Sequence, residues 1–219
     1  MKNLVFLFFF IFFFNSCNKE CNELTDYVFE LPATLNPAKD TFLIGDTITI
    51  TSEFPNKVFD KSTKKYYKLE NWKFFLEIRL REISDTISNE AALLDFEVLI
   101  DSIYNFAPLQ YSNGSVSYVG DYLYSEKNYS LKYSLIPKKI GLYYHSLFSL
   151  LFDFGKNQDF DGRCPKGRAG VDAFIRLNGN EENNINMLLT SPDKHFNDWI
   201  LQKPETRFYK FGGYCFYVK

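Results

Sequence analysis

The stretch WKFFLEIRLR, residues 72–81, decides the fold. In an extended chain successive side chains point to opposite sides, so Trp72, Phe74, Leu76, Ile78 and Leu80 share one face. Lys73, Phe75, Glu77, Arg79 and Arg81 share the other. A period of two with one apolar side predicts a strand that buries one face and wets the other, as in an antiparallel sheet packed on a core. The same alternation recurs on both sides of it. Leu94, Phe96, Val98 and Ile100 point inward within Leu93–Asp101, with Asp95, Glu97 and Asp101 outward. Tyr129, Leu131, Tyr133 and Leu135 alternate with Ser130, Lys132 and Ser134, and Val171, Ala173, Ile175 and Leu177 form a further apolar face. Toward the N-terminus, Thr41–Phe54 reads as strand, a turn at Gly45-Asp46, and a second strand with threonines on one side and isoleucines on the other. Tyr27–Leu31 reads as an edge strand stopped by Pro32, because proline removes a ladder donor. Asn113-Gly114 and Pro137–Gly141 supply turns, the first before Ser115–Val119 and the second before Leu142–Phe152. Short alternating strands punctuated this way predict a mostly β chain folded as an antiparallel sandwich.

The C-terminal third breaks the pattern. Asn180 is placed to cap a short helix that carries Glu181 and Glu182 in its first turn and Ile185, Leu188 and Leu189 at helical spacing. Ser191-Pro192-Asp193 predicts a second helix with Ser191 as cap, Phe196, Trp199 and Ile200 on its apolar face, and Pro204 at its end. Phe208–Val218 returns to strand, interrupted at Gly212-Gly213. The expected organisation is one sandwich domain over residues 27–219 with a two-helix insertion at about 180–203. Two stretches carry a family resemblance. GDTITIT (45–51) resembles a strand common in the immunoglobulin-like sandwiches of secreted bacterial proteins, and the turn followed by GLYY (141–144) resembles their E–F region. Together they imply an immunoglobulin-like β-sandwich.

The first seventeen residues give an address. Lys2 and Asn3 precede an unbroken apolar run, Leu4–Phe14, followed by Asn15, Ser16 and Cys17. Eleven residues fall short of the roughly 20 a helix needs to cross a bilayer, but they fit the apolar core of a secretory signal peptide. A cysteine directly after that boundary resembles the lipobox of bacterial lipoproteins of the Bacteroidota type. Phe14, Asn15 and Ser16 depart from the usual Leu, Ala or Ser, and Gly or Ala. The resemblance implies cleavage after residue 16, acylation of Cys17 with palmitate-like chains, and an outer-membrane lipoprotein facing the periplasm or the cell surface. Residues 17–26 would be its tether.

Composition narrows the remaining chemistry. The chain has 25 basic and 27 acidic residues, and losing Lys2 with the signal makes it slightly more acidic. No basic run appears, so nucleic acid is not an expected partner. Outside the cytoplasm a cysteine pair should oxidise, and Cys164 with Cys215 is favoured over a pairing with Cys21. Asn157, Asp159 and Asp161 followed by Gly162 match the first half of a calcium loop. The second half fails, since Arg168 stands where a bidentate glutamate belongs; an acidic hairpin loop is the favoured reading and calcium the lesser one. His145 falls mid-strand on the face of Tyr143 and Leu147, which makes it a hydrogen-bonded core or edge residue, and His195 is an exposed residue near a helix start. No serine-nucleophile, Walker or Rossmann pattern is present, so catalysis is not expected. The resulting expectation is a binding or structural module of the envelope whose partner is a protein or a glycan. A carbohydrate-contacting reading would use exposed aromatics such as Trp72, Tyr143 or Trp199, and a carboxylate-pair hydrolase stands third.

Overall fold

A computed structural model describes residues 26–85, 87, 89, 91–151, 158–163, 170–181 and 183–219. The first half of the chain supplies β1 (Tyr27–Asn36), β2 (Thr41–Phe42), β3 (Ile48–Pro55), β4 (Lys57–Asp60), β5 (Lys65–Lys68), β6 (Phe75–Glu82) and β7 (Phe96–Ile100). The second half adds β8 (Ala107–Gln110), β9 (Val116–Asp121), β10 (Leu123–Ser125), β11 (Asn128–Pro137), β12 (Gly141–Ser149), β13 (Val171–Leu177) and β14 (Tyr214–Val218). They make two sheets. In the first, the order is β10-β11-β3-β1-β4-β5, with β13 also on β1 and β7 also on β11; in the second it is β2-β14-β12-β6-β9-β8. Pairing is antiparallel except β1 with β13 and β14 with β2, which are parallel.

The alternation seen in the sequence explains how the sheets meet. Phe29, Ile48, Ile50, Leu131 and Leu135 from the first sheet and Leu76, Ile78, Leu147 and Phe216 from the second are buried in one shared cluster. Both sheets therefore press their apolar faces together, which is the mostly β sandwich that the alternation predicts and the layered form that the immunoglobulin-like resemblance implies. Aromatic side chains fill one part of this core. Phe29 makes edge contacts with Tyr67, Trp72, Phe74 and Phe160, at ring separations between 5.6 and 6.4 Å, and each such pair adds about 0.5–1.5 kcal/mol beyond its buried area. The Tyr129 hydroxyl ties the approach to β6, donating to the Leu69 carbonyl at 2.8 Å and accepting from the Trp72 amide at 2.7 Å.

Several sequence expectations need correction. β1 is interior and does not stop at Pro32. It pairs with β13 along one side, and Pro32 sits between the residue that meets β4 (Phe29) and those that meet β3 (Thr34–Asn36), where a missing donor costs no ladder bond to either. Leu94 is exposed rather than inward, because Ala92–Asp95 form a 3-10 turn that resets the parity before β7. Trp72 and Tyr143 are not exposed aromatics: Trp72 is 3% exposed and Tyr143 fully buried. Both follow the apolar face of their strands into the core, Tyr143 against the rings of Phe96 and Phe216.

Between β13 and β14 the chain is helical, and it covers the outer face of the second sheet. Ile185–Thr190 is a 3-10 segment, Lys194–Gln202 is an α-helix (α1), and Glu205–Tyr209 is a π-turn. Ile185, Leu188, Phe196, Ile200 and Phe208 pack on Ile83, Leu142, Tyr144 and Cys215, which point away from the sandwich core. The strand after this layer starts at Tyr214, later than Phe208, so Gly212-Gly213 precede it instead of interrupting it. Cys215 is a free thiol buried under the helical layer. The expected disulfide is corrected on that side, since β14 directs this sulfur into an apolar cluster; Cys164 lies outside the described residues. So do the signal run, Cys17, Cys21 and Asn157. No helix among the described residues is long and apolar enough to cross a membrane.

Candidate functional site

β6 alternates in both directions, and its outward face is less simple than a wet surface. Glu77 on that face is fully buried, Arg79 is half-exposed and Arg81 partly covered. They are covered because the outer face of the second sheet carries two raised walls. The helical layer stands over β14 and β12, and the hairpin joining β8 to β9 stands at the opposite side, held by Tyr111 N–H donating to the Ser115 carbonyl at 2.9 Å. Between the walls lies a groove of about 480 Å³ floored by β12, β6 and β9. That volume is in the range of small-molecule sites.

The groove has an arginine–aromatic construction. The Arg79 guanidinium lies 4.4 Å over the Phe148 ring, which stacks on Phe211 at 4.1 Å. Arg81 lies 4.2 Å over Phe196, and Arg207 lies 4.6 Å over Trp199 while donating to the Trp199 carbonyl. Cation–π stacking of this kind fixes long side chains that would otherwise lose rotamer entropy on binding a ligand. Trp199 is 47% exposed on the rim, whereas Phe196 and Ile200 of the same helix are buried. Its position three residues after Phe196 puts it at the border of the apolar face, so the helix turns its ring toward the groove. Of the three aromatics named from the sequence, Trp199 alone is presented to solvent.

Glu77 is the electrostatic anchor of the floor. Burial alone would raise its carboxyl; Arg79, with Nη2 at 2.6 Å, and the Ser117 and Tyr111 hydroxyls beside it outweigh that and hold it below the ordinary carboxylate range. Tyr111 donates to Glu77 Oε1 at 2.8 Å, and burial together with this bond raises its phenol. A carboxylate fixed in its ionised form this way is a structural counter-ion, poorly suited to accept a proton from a substrate. Among the described residues lining the groove, Glu77 is the one carboxylate and stands against Arg79, Arg81 and Arg207. The paired carboxylates of a glycosidase are therefore not assembled in this groove.

The other residues singled out from the sequence lie elsewhere. Asp159 and Asp161 are exposed, and the Asp159 carboxylate accepts from the Phe160 amide at 2.9 Å. No group of three metal-ligating side chains forms among the described residues. His145 sits between the sheets, its Nε2 2.7 Å from the Tyr133 hydroxyl, and burial lowers its pKa to about 3. Sequence reading missed the groove because its parts are remote in the chain. The visible signal was the outward trio Glu77, Arg79 and Arg81, which alternation alone assigns to solvent.

No protein-family model matches the chain, and no curated protein matches it. Among solved structures, a non-cellulosomal cohesin from the hyperthermophilic archaeon Archaeoglobus fulgidus is similar over 70% of this chain and 91% of its own, at 13% identity and a TM-score of 0.25.

Proposed function

We propose that the protein is a lipid-anchored envelope module, acylated at Cys17 and held at the outer membrane, that binds a ligand in the groove on its second sheet. The observation that carries the binding half is the rim: a half-exposed tryptophan held by Arg207 faces a floor of hydroxyls and arginines in a half-open groove. Flat aromatic faces beside polar donors suit a carbohydrate, whose rings expose C–H faces and hydroxyl edges. This favours the carbohydrate-contacting reading over a purely structural role, and it moves that reading from three aromatics to one. The anchor half rests on the apolar run and its terminal cysteine.

The test is a glycan array probed with detergent-solubilised full chain, wild type and Trp199→Ala. Binding that disappears in the variant supports the groove. Binding that survives unchanged in Trp199→Ala removes the groove as the site.

A further inference from the structure

We infer that the β4–β5 hairpin is a second, reversible membrane contact, whose lysines and Tyr66 rest on the phosphates of anionic lipid headgroups. The inference rests on the anchor at Cys17 and adds which surface the domain turns toward the bilayer. Its basis is positive charge gathered at the end of the sandwich where the tether enters. The chain is acidic as a whole, with 27 acidic against 25 basic residues. Residues 57–68 nevertheless hold Lys57, Lys61, Lys64, Lys65 and Lys68 against one acid, Asp60. Asp60 is fully buried and its carboxylate is used internally. It accepts from the Val28 amide at 2.6 Å and from the Thr63 amide and hydroxyl at 2.8 and 2.6 Å. The Lys61 amide in turn donates to the Val28 carbonyl at 2.8 Å. These bonds pin the hairpin turn, residues 61–64, to the first residues of β1, which is the strand the tether leads into.

The register of the hairpin decides what this charge faces. Lys57 is opposite Lys68 and Phe59 opposite Tyr66, so by alternation these four side chains share the outward face. Tyr66 is 62% exposed, with Phe59 beneath it at 5.2 Å and the Lys57 ammonium 5.8 Å from its ring. An exposed tyrosine among lysines matches the headgroup layer, where an amphipathic ring and long cationic side chains both find partners. The neighbouring acids do not cancel the charge. Lys68 is engaged by Glu70 at 2.7 Å, with Asp161 also acting on it, and Lys61 lies 3.9 Å from Glu30, which Arg176 holds at 2.8 Å. The excess therefore belongs to Lys57, Lys64 and Lys65, all exposed. A second copy of the chain is a poor occupant, because β5 ends its sheet and edge-to-edge pairing there would set lysines against lysines. A soluble polyanion offers matching charge but has to be met by diffusion. The bilayer is held within about 35 Å by a tether of ten residue steps that ends beside this hairpin. Each lysine near an anionic surface favours docking roughly fivefold, so three together favour it on the order of a hundredfold.

The full chain purified from membranes tests this on two kinds of vesicle, phosphatidylcholine alone and phosphatidylcholine with about 30% phosphatidylglycerol, an anionic lipid. Flotation reads the anchor, and amide hydrogen exchange followed by mass spectrometry reads the hairpin. The expected result is flotation with both vesicles, and exchange in peptides covering 57–68 slowed at least about threefold on the anionic ones. Peptides of the β8–β9 hairpin should exchange alike on both. About 0.5 M salt should remove the difference, as should the combined variant Lys57→Gln, Lys64→Gln, Lys65→Gln. Tyr66→Ser should reduce it. Equal exchange of 57–68 on the two vesicles would overturn the inference while the anchor stands. Slowing that persists in the lysine variant would overturn it as well. The same slowing produced on neutral vesicles by added heparin would overturn the assignment to lipid. Failure to float with neutral vesicles would reject the anchor; lysine-dependent flotation with anionic ones would then leave the hairpin contact standing by itself. Flotation with neither would remove both.

Discussion

His145 shows what a single buried side chain does to the whole protein's response to pH. It is fully enclosed between the sheets, and burial depresses its pKa from 6.5 to about 3. The folded state thus binds fewer protons than the unfolded state between those values, so this residue contributes full stability above pH 6.5 and loses it as pH falls toward 3. Well below 6.5 the loss approaches about 1.4 kcal/mol per pH unit. Between pH 6.5 and 5, above the carboxylate range, melting temperature should fall for the wild type and stay nearly flat for His145→Gln, which keeps a polar group near Tyr133. Parallel pH profiles for the two proteins would show that His145 is not the titrating group. Other residues were equally legible from the chain. Alternation placed His145 on the face of Tyr143 and Leu147 and left core and edge both open, and the core is where it lies. The same alternation contradicts any exposed role for Trp72, since a ring in register with Phe74, Leu76 and Ile78 follows them inward. Trp199 differs because a helix has a border, and an aromatic on that border is covered or exposed according to what stands opposite. Nothing local determines that.

At the scale of elements, α1 matters because it brings Phe196 and Trp199 to the groove, and its start is a specific polar device. Asp193 Oδ1 accepts the Phe196 amide at 3.0 Å, so Asp193 is the cap, and Pro192 lies just before the helix. Ser191, the cap expected from sequence, is instead drawn into the sheet, where its hydroxyl donates to the Ile83 carbonyl beyond the end of β6. Both residues are good caps by type. The choice between them is made by a contact 108 residues away, which no local pattern encodes. Asp193→Ala should cost about 1 kcal/mol and lower the melting temperature by roughly 2–4 °C, read by calorimetry. Because the same helix positions Trp199, the variant should also weaken groove binding; the expected drop of roughly 2–4 °C with unchanged binding would separate the cap from the site. β14 gives a second test. Its Cys215 lies in the apolar cluster under the helices, where burial raises the thiol well above its ordinary pKa. Native protein should leave Cys215 unlabelled by maleimide, while denaturation without reductant should label it fully, as peptide mapping would show. Labelling that requires a reductant would mean a disulfide and reinstate the pairing expected from sequence.

For the whole molecule, the fold was legible and the site was not, for one physical reason. A sandwich is written in a period of two that each strand carries by itself, and β6, β11 and β13 each declared their buried face. The groove is written in no single element. Glu77 and Tyr111 are 34 residues apart, and Arg81 meets Phe196 only because the helical layer folds back over the second sheet. The proposed anchor is the opposite case, read from the first seventeen residues alone, and its prediction belongs to the molecule because it would set where the groove can meet a ligand. β1 begins at Tyr27, so the chain runs ten residue steps from Cys17 to the sandwich. At full extension that distance reaches about 35 Å, enough to lift the domain clear of the headgroups without letting it diffuse away. One acyl chain holds a protein only marginally, so stable anchoring requires at least two on the same terminus. Cells fed an alkyne fatty acid should therefore label the wild-type chain, move it into the detergent phase on partition, and yield a protein lacking Met1. Cys17→Ala should remain unlabelled and leave the membrane fraction. Recovery of an unlabelled, water-soluble wild-type chain that retains Met1 would reject the anchor, and an envelope glycan would then be the wrong place to look for the ligand.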